Sequence, residues 1–147
     1  MKSTCRNIFI TGTILIWLIK FGLRSWLYLP PYSAGCFLMG IAPNLLGSFL
    51  IPFAAYCLFE NRQHFLARLF SIRSELELSF VCALGFVLVV INEYLQLYPL
   101  FGRTFDFYDI LFSSVGALSS FFIFRHMARF GISEYPSPRK KFMPTIR

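Results

Sequence analysis

A chain of 147 residues is long enough for a single domain. Hydrophobic residues make up 56% of it, aromatic residues 19% and charged residues 14%, against about 25% charged in soluble domains, which is more apolar side chain than a water-soluble core of this size can hide. The net charge of +7 does not describe a nucleic-acid surface, because the bases sit at the ends of apolar runs, where orientation signals and contacts to anionic membrane lipid are found.

A membrane-spanning helix needs about 20 predominantly apolar residues. The first such run, residues 8–29, contains Lys20 and Arg24 and has no A-x-A pattern for signal cleavage. The second, residues 36–59, carries no charge; Pro43 and Pro52 interrupt it, and Gly47 would let another helix approach. The connection that follows has Phe65, Leu66, Leu69, Phe70, Ile72 and Leu76 at helical spacing with Arg62, Arg68 and Arg73 between them, which suits a short helix lying on the membrane surface. The third run, residues 78–98, contains only Glu93, and the fourth, residues 107–124, only Asp109. Residues 125–147 combine Arg125, Arg129, Arg139, Lys140, Lys141 and Arg147 with Pro136, Pro138 and Pro144 and are expected to be a disordered basic tail held by anionic lipid. The chain therefore reads as an all-α membrane domain over residues 1–124, a bundle of about four transmembrane helices.

Lysine and arginine set the orientation. The N-terminal segment, the connection after the second run and the tail hold nearly all of the bases outside the spans, whereas the other two connections hold only Arg103. The positive-inside rule then puts both termini in the cytoplasm. Cys5, Cys36, Cys57 and Cys82 are scattered with no C-x-x-C pair and read as small apolar packing residues. His64 and His126 are isolated, so no metal site and no cofactor is expected.

Polar residues gather at one depth. At about 1.5 Å per residue, Lys20 lies roughly 18 Å from the inner end of its run, Glu93 roughly 22 Å from the inner end of its own, and Asn44 roughly 12 Å from the outer end. Arg24, Gln96, Arg103, Asp106 and Asp109 lie further out, and the inner halves hold almost nothing polar. A charge at membrane depth costs about 2.5–3.5 kcal/mol on insertion scales, so such groups face a bundle interior or a wet cavity. Glu93 and Gln96 share a face, as do Lys20 and Arg24, and Asp109 and Ser113 are one turn apart. Asp106 followed by Asp109 also fits a helix N-cap with an acid in the first turn, and Lys20 and Arg24 can snorkel to headgroups. Asn44 and Asn92 suit interhelical hydrogen bonds.

The run Glu93-Tyr94-Leu95-Gln96, then Arg103-Thr104-Phe105-Asp106-Phe107-Tyr108-Asp109, then Gly116, resembles the signature of VanZ-like membrane proteins: E-x-x-Q, R-x-x-D-x-x-D, and a small-residue motif seven positions on. Asn44-Leu45-Leu46-Gly47 and Ile51-Pro52-Phe53 resemble the upstream segment of that family. Ser113, Ala54 and Ala117 depart from it, standing where Asn, Gly and Gly are usual. The resemblance implies a multi-pass protein of the bacterial cytoplasmic membrane that acts on the cell envelope, in a family named for low-level resistance to the glycopeptide teicoplanin. It supplies no reaction.

Four functions fit these residues. In a binding or protective module, Lys20, Arg24 and Arg103 would meet the phosphate of a lipid-linked cell-wall intermediate or a lipophilic glycopeptide, with the acids Glu93, Asp106 and Asp109 orienting them and Gln96 and Asn44 as further polar candidates of the site. In a membrane enzyme on a lipid-linked substrate, Glu93 would be a general acid or base, Arg103 would stabilise anionic charge and Asp106 or Asp109 would hold a metal, but no nucleophile or metal motif accompanies them. A proton- or ion-coupled carrier would titrate Glu93 and need an oligomer. A structural subunit would use the cluster only to lock its helices. The orientation is testable by C-terminal fusions: a fluorescent protein that folds only in the cytoplasm is expected to shine there and a phosphatase active only outside to stay silent; the reverse pattern would overturn the assignment.

Overall fold

The computed structural model describes residues 1–23, 26–27, 30, 33–59, 65–95 and 106–130, and among these there is no β-strand. Helix α1, Lys2–Trp17, runs on into a π-helical segment, Leu18–Leu23. Helix α2 is Ala34–Phe59, α3 is Phe65–Phe70, α4 is Glu75–Leu95 and α5 is Phe107–Phe130. Among the described residues, Lys2–Leu23, Ala34–Phe59, Glu75–Leu95 and Phe107–Arg129 are long and apolar enough to cross a membrane. The protein is an all-helical, multi-pass membrane protein.

Helices α2 and α4 start where the sequence supplies a side-chain cap, whereas α1 has none. Ser33 Oγ accepts the Cys36 N–H at 3.2 Å ahead of α2, and Ser74 Oγ accepts the Glu77 N–H at 3.2 Å ahead of α4. The Glu77 carboxylate reaches back to the Arg73 N–H, one residue before Ser74, so Ser74-Glu75-Leu76-Glu77 resembles a capping box whose return bond is shifted by one residue. Inside the apolar helices, hydroxyls turn to their own backbone. Thr13 bonds the Phe9 carbonyl at 2.7 Å and Ser120 the Ala117 carbonyl at 2.8 Å, which is how such residues are tolerated where no water is available. Pro43 and Pro52 lie within an unbroken α2, and Pro52 is buried.

The broadest helix–helix contact is between α2 and α5, which run in parallel. Aromatic pairs Phe37–Tyr108, Phe53–Phe124 and Tyr56–Phe124 mark the shared register at 5.4, 5.5 and 5.6 Å between ring centroids. Between them, a Cβ added to Gly116 would lie 2.3 Å from the Leu45 carbonyl oxygen and 2.3 Å from Ser48 Oγ. Gly47, expected to serve helix approach, does not: a Cβ there meets nothing within 4 Å. The close contact is supplied by Ser113, Gly116, Ala117 and Ser120 of α5, all buried and spaced on one helix face, an arrangement that lets helix backbones meet in lipid.

Helix α1 packs on α2 and α4 packs on both α2 and α5. The core of Cys5, Phe53, Ala55, Ile72, Leu78, Val81, Cys82 and Phe124 fills the half of the bundle towards Glu75 and contains no charge. The outward faces are apolar: Trp17, Leu38, Leu88 and Phe122 are each at least half exposed, a surface matched to acyl chains. Among the described residues no disulfide joins the four cysteines; Cys36 is exposed and Cys5 and Cys82 are buried.

Two boundaries differ from the sequence reading. The first helix begins at Lys2, six residues before the apolar run. At the other end, residues 125–130, expected as the start of a disordered tail, are the last turns of α5; Arg125 and Arg129 both reach Glu75 at the start of α4 and tie that end down. Residues 131–147 lie outside the described residues. Short α3 sits between α2 and α4, its Ala67 buried and its Phe70 stacked on Phe59 at 5.5 Å, while Phe65 and Arg68 face outward.

Adding a methyl at the α2–α5 contact should separate the two helices. Gly116→Ala is expected to cost about 1–3 kcal/mol, the usual range for overpacking a tight core, read as a lower melting temperature in detergent, with Gly47→Ala unchanged. Equal melting of both variants would show that the contact at Gly116 is not close.

Candidate polar site

Helix registers put the singled-out polar residues at one level. Helices α4 and α5 are antiparallel, with Cys82 beside Ser120 and Glu75 paired with Arg125 and Arg129. Glu93 is eleven residues beyond Cys82 and Asp109 eleven before Ser120, so both rise equally along the bundle. Gly85 of α4 abuts Ile51 of α2; Glu93 lies eight residues beyond the first and Pro43, beside Asn44, eight before the second. Gly12 of α1 abuts Leu50, and the same step of eight brings Lys20 level with Ala42. Lys20, Asn44, Glu93 and Asp109 therefore share a level to within about one helical turn.

Direction separates them. Glu93 is 3% exposed. It continues the buried stripe of α4, Leu78, Cys82 and Gly85, whose members face Ser120 of α5 and Ile51 of α2. Glu93 thus turns into the groove between α2 and α5. Its neighbour Asn92, expected to bond between helices, is exposed, because a step of about 100° along a helix carries it off the stripe. Lys20 is exposed and sits in the π-helical segment, a position suited to snorkelling rather than to an inward pair with Glu93.

Asn44 and Asp109 are half-buried. The Asn44 carbonyl accepts the Ser48 hydroxyl at 3.0 Å and the fully buried Ser113 hydroxyl at 3.5 Å. The second bond crosses from α5 to α2, one turn from Asp109, and it uses the Asn44 backbone. Asp106 is exposed and caps α5: its Oδ1 accepts the Tyr108 N–H at 2.9 Å and its carbonyl the Asp109 N–H at 3.1 Å. Asp109 stands in the first turn, where an acid is favoured by the helix dipole. The structure thus sets Asn44, Glu93 and Asp109 at one level with the Ser113–Asn44 bond, makes Asp106 the cap of α5 and leaves Lys20 exposed. Arg24, Gln96 and Arg103 lie outside the described residues.

Sequence reasoning missed the seam beneath this level. Ser48, Ser113 and Ser120 are 1%, 0% and 0% exposed, and together with Gly116 they set how closely α2 and α5 meet. Small residues at positions i, i+3, i+4 and i+7 of an apolar run were the signal. Among the described residues no group of three His, Cys, Asp or Glu is placed to hold a metal ion.

Compared with protein-family models, with curated proteins and with solved structures, the chain matches none.

The Asp106 cap has a separable energetic signature. Asp106→Ala is expected to cost about 1 kcal/mol, the usual worth of an N-cap, measured by thermal unfolding in detergent, while Asp106→Asn, which still accepts the Tyr108 N–H, holds close to wild type. An equal loss in both would assign the aspartate a charge-dependent role beyond capping.

Proposed function

We propose that the chain is a VanZ-like protein of the bacterial cytoplasmic membrane, with both termini in the cytoplasm, that binds the polar headgroup of an envelope amphiphile at the Asp106 end of its bundle. The ligand class is a lipid-linked cell-wall intermediate or a lipophilic glycopeptide of the teicoplanin type. One observation carries the reading: Glu93 is buried on the inward stripe of α4 at the level of Asn44 and Asp109. These residues, with Arg103 three positions ahead of the Asp106 cap in sequence, supply acceptors and a guanidinium that together suit a ligand carrying phosphate, hydroxyl and amide groups.

A second reading is favoured by the Ser113–Asn44 bond: the polar level locks α2, α4 and α5 together and binds nothing. Buried hydrogen bonds between membrane helices serve this end at roughly 0.6 kcal/mol each.

Teicoplanin susceptibility of a sensitive Gram-positive host separates the two. Wild type is expected to raise resistance. Arg103→Ala and Glu93→Gln at matched membrane levels are expected to remove it, since losing a hydrogen bond to a charged group weakens binding by about tenfold to a hundredfold. A lock predicts instead that both variants lose folded protein and that wild type changes no susceptibility. Wild type at full membrane level without any change in susceptibility would sink the glycopeptide reading.

A further inference from the structure

The opposite end of the bundle carries a second constellation, basic where the first is acidic. Arg125 binds Glu75 through two nitrogens, Nε at 3.1 Å from Oε1 and Nη2 at 3.1 Å from Oε2. Arg129 Nη2 lies 3.2 Å from the same Oε1. These side chains and Arg73 line a cleft of about 270 Å³ whose floor includes Leu78 and Phe124, both buried. Three guanidiniums and one carboxylate give the lining a charge of +2 (three positive less one negative). The nearby Glu77 carboxylate is turned to the Arg73 backbone N–H, and His126 on α5 is exposed. A guanidinium has five N–H donors, and Glu75 engages two of Arg125 and one of Arg129.

The surroundings place this cleft at headgroup depth. It lies where α4 begins and α5 ends, at the limit of the apolar spans. Leu76, beside Glu75, is 82% exposed and Phe65 on α3 is 80% exposed. Large apolar side chains held out next to arginines are the pattern of a segment seated among lipid headgroups.

We propose that the cleft binds an anionic phospholipid, its phosphate on Arg73, Arg125 and Arg129 and its first acyl carbons against Leu78 and Phe124. Charge selects the phosphate, and the apolar floor selects a lipid over a free anion. Glu75 pairs with the two α5 arginines yet leaves donors of each for the ligand.

The test is lipid binding by the full chain in detergent, followed by native mass spectrometry and thermal unfolding, with phosphatidylglycerol, phosphatidylcholine or inorganic phosphate added. Phosphatidylglycerol is expected to bind and to raise the melting temperature more than phosphatidylcholine, and inorganic phosphate to do neither. The double variant R125Q/R129Q should weaken phosphatidylglycerol binding by about 25-fold, from about fivefold for each arginine. E75Q breaks the same ion pairs but leaves the cations, so it should bind phosphatidylglycerol at least as well as wild type. Loss of the lipid preference in E75Q as well would show an intramolecular clamp and overturn the proposal. Protection by inorganic phosphate equal to that by phosphatidylglycerol would overturn it in favour of a free-anion site. Should the double variant fail to fold, R73Q, which breaks none of the Glu75 pairs, carries the test: about a fivefold loss is expected, and no loss overturns it.

Discussion

Gly116 sets the distance between α2 and α5, and the rest of the bundle is arranged around that distance. Where a Cβ would stand, the Leu45 carbonyl and the Ser48 hydroxyl already lie at 2.3 Å. Only at this separation does the Ser113 hydroxyl come within 3.5 Å of the Asn44 carbonyl on the other helix. Lipid offers no competing hydrogen bonds and no hydrophobic drive between helices, so close backbone packing and internal satisfaction of hydroxyls must hold the pair. Helix α4 then seats Gly85 against Ile51 and Cys82 against Ser120, and the same stripe carries Glu93 out of contact with the surroundings.

Depth sorts the chemistry. Towards Glu75 the interior is aromatic and aliphatic, with Phe53 and Phe124 fully buried. Towards Asp106 the interior gives way to Asn44, Ser113, Asp109 and Glu93. A short carboxylate cannot reach the membrane surface as lysine can, so Glu93 must be covered by the protein, and it is. Lys20, at the same level, has the longer side chain and faces outward. The two charges that depth alone would pair are thus separated by the length of their side chains.

Helix number and depth were legible in the sequence because both follow from composition and a fixed rise per residue. Facing was not. A spanning helix is apolar all round, so periodicity does not tell Glu93 from Asn92, and only the partners across the groove decide that one is buried and the other exposed. For the same reason Gly47 and Gly116 look alike in their runs, yet only Gly116 meets a neighbouring backbone; the buried serines around it were the available clue. The capping roles of Ser74 and Asp106 were readable from local spacing, although only the second was read. Arg125 and Arg129 pair with Glu75, fifty and fifty-four residues away, and no local pattern carries those contacts.

The two ends of the bundle therefore differ in kind. At the Asp106 end the described inward residues are acceptors: one carboxylate fully covered, a second half-covered and a backbone carbonyl shared by two serines. A phosphate would be repelled by these groups alone, so recognition of an anionic headgroup there must rest on a guanidinium, whereas hydroxyl and amide groups of a ligand could bond the acceptors directly. At the Glu75 end the balance reverses, with three guanidiniums around one carboxylate, and phosphate is the group that fits. In the two proposed readings each end would take a different part of a membrane amphiphile: donors of a sugar or peptide headgroup at one, the phosphate of a bilayer lipid at the other. Eighteen residues of α4 separate Glu75 from Glu93, about 27 Å at the helical rise, and the core residues of the bundle carry no charge.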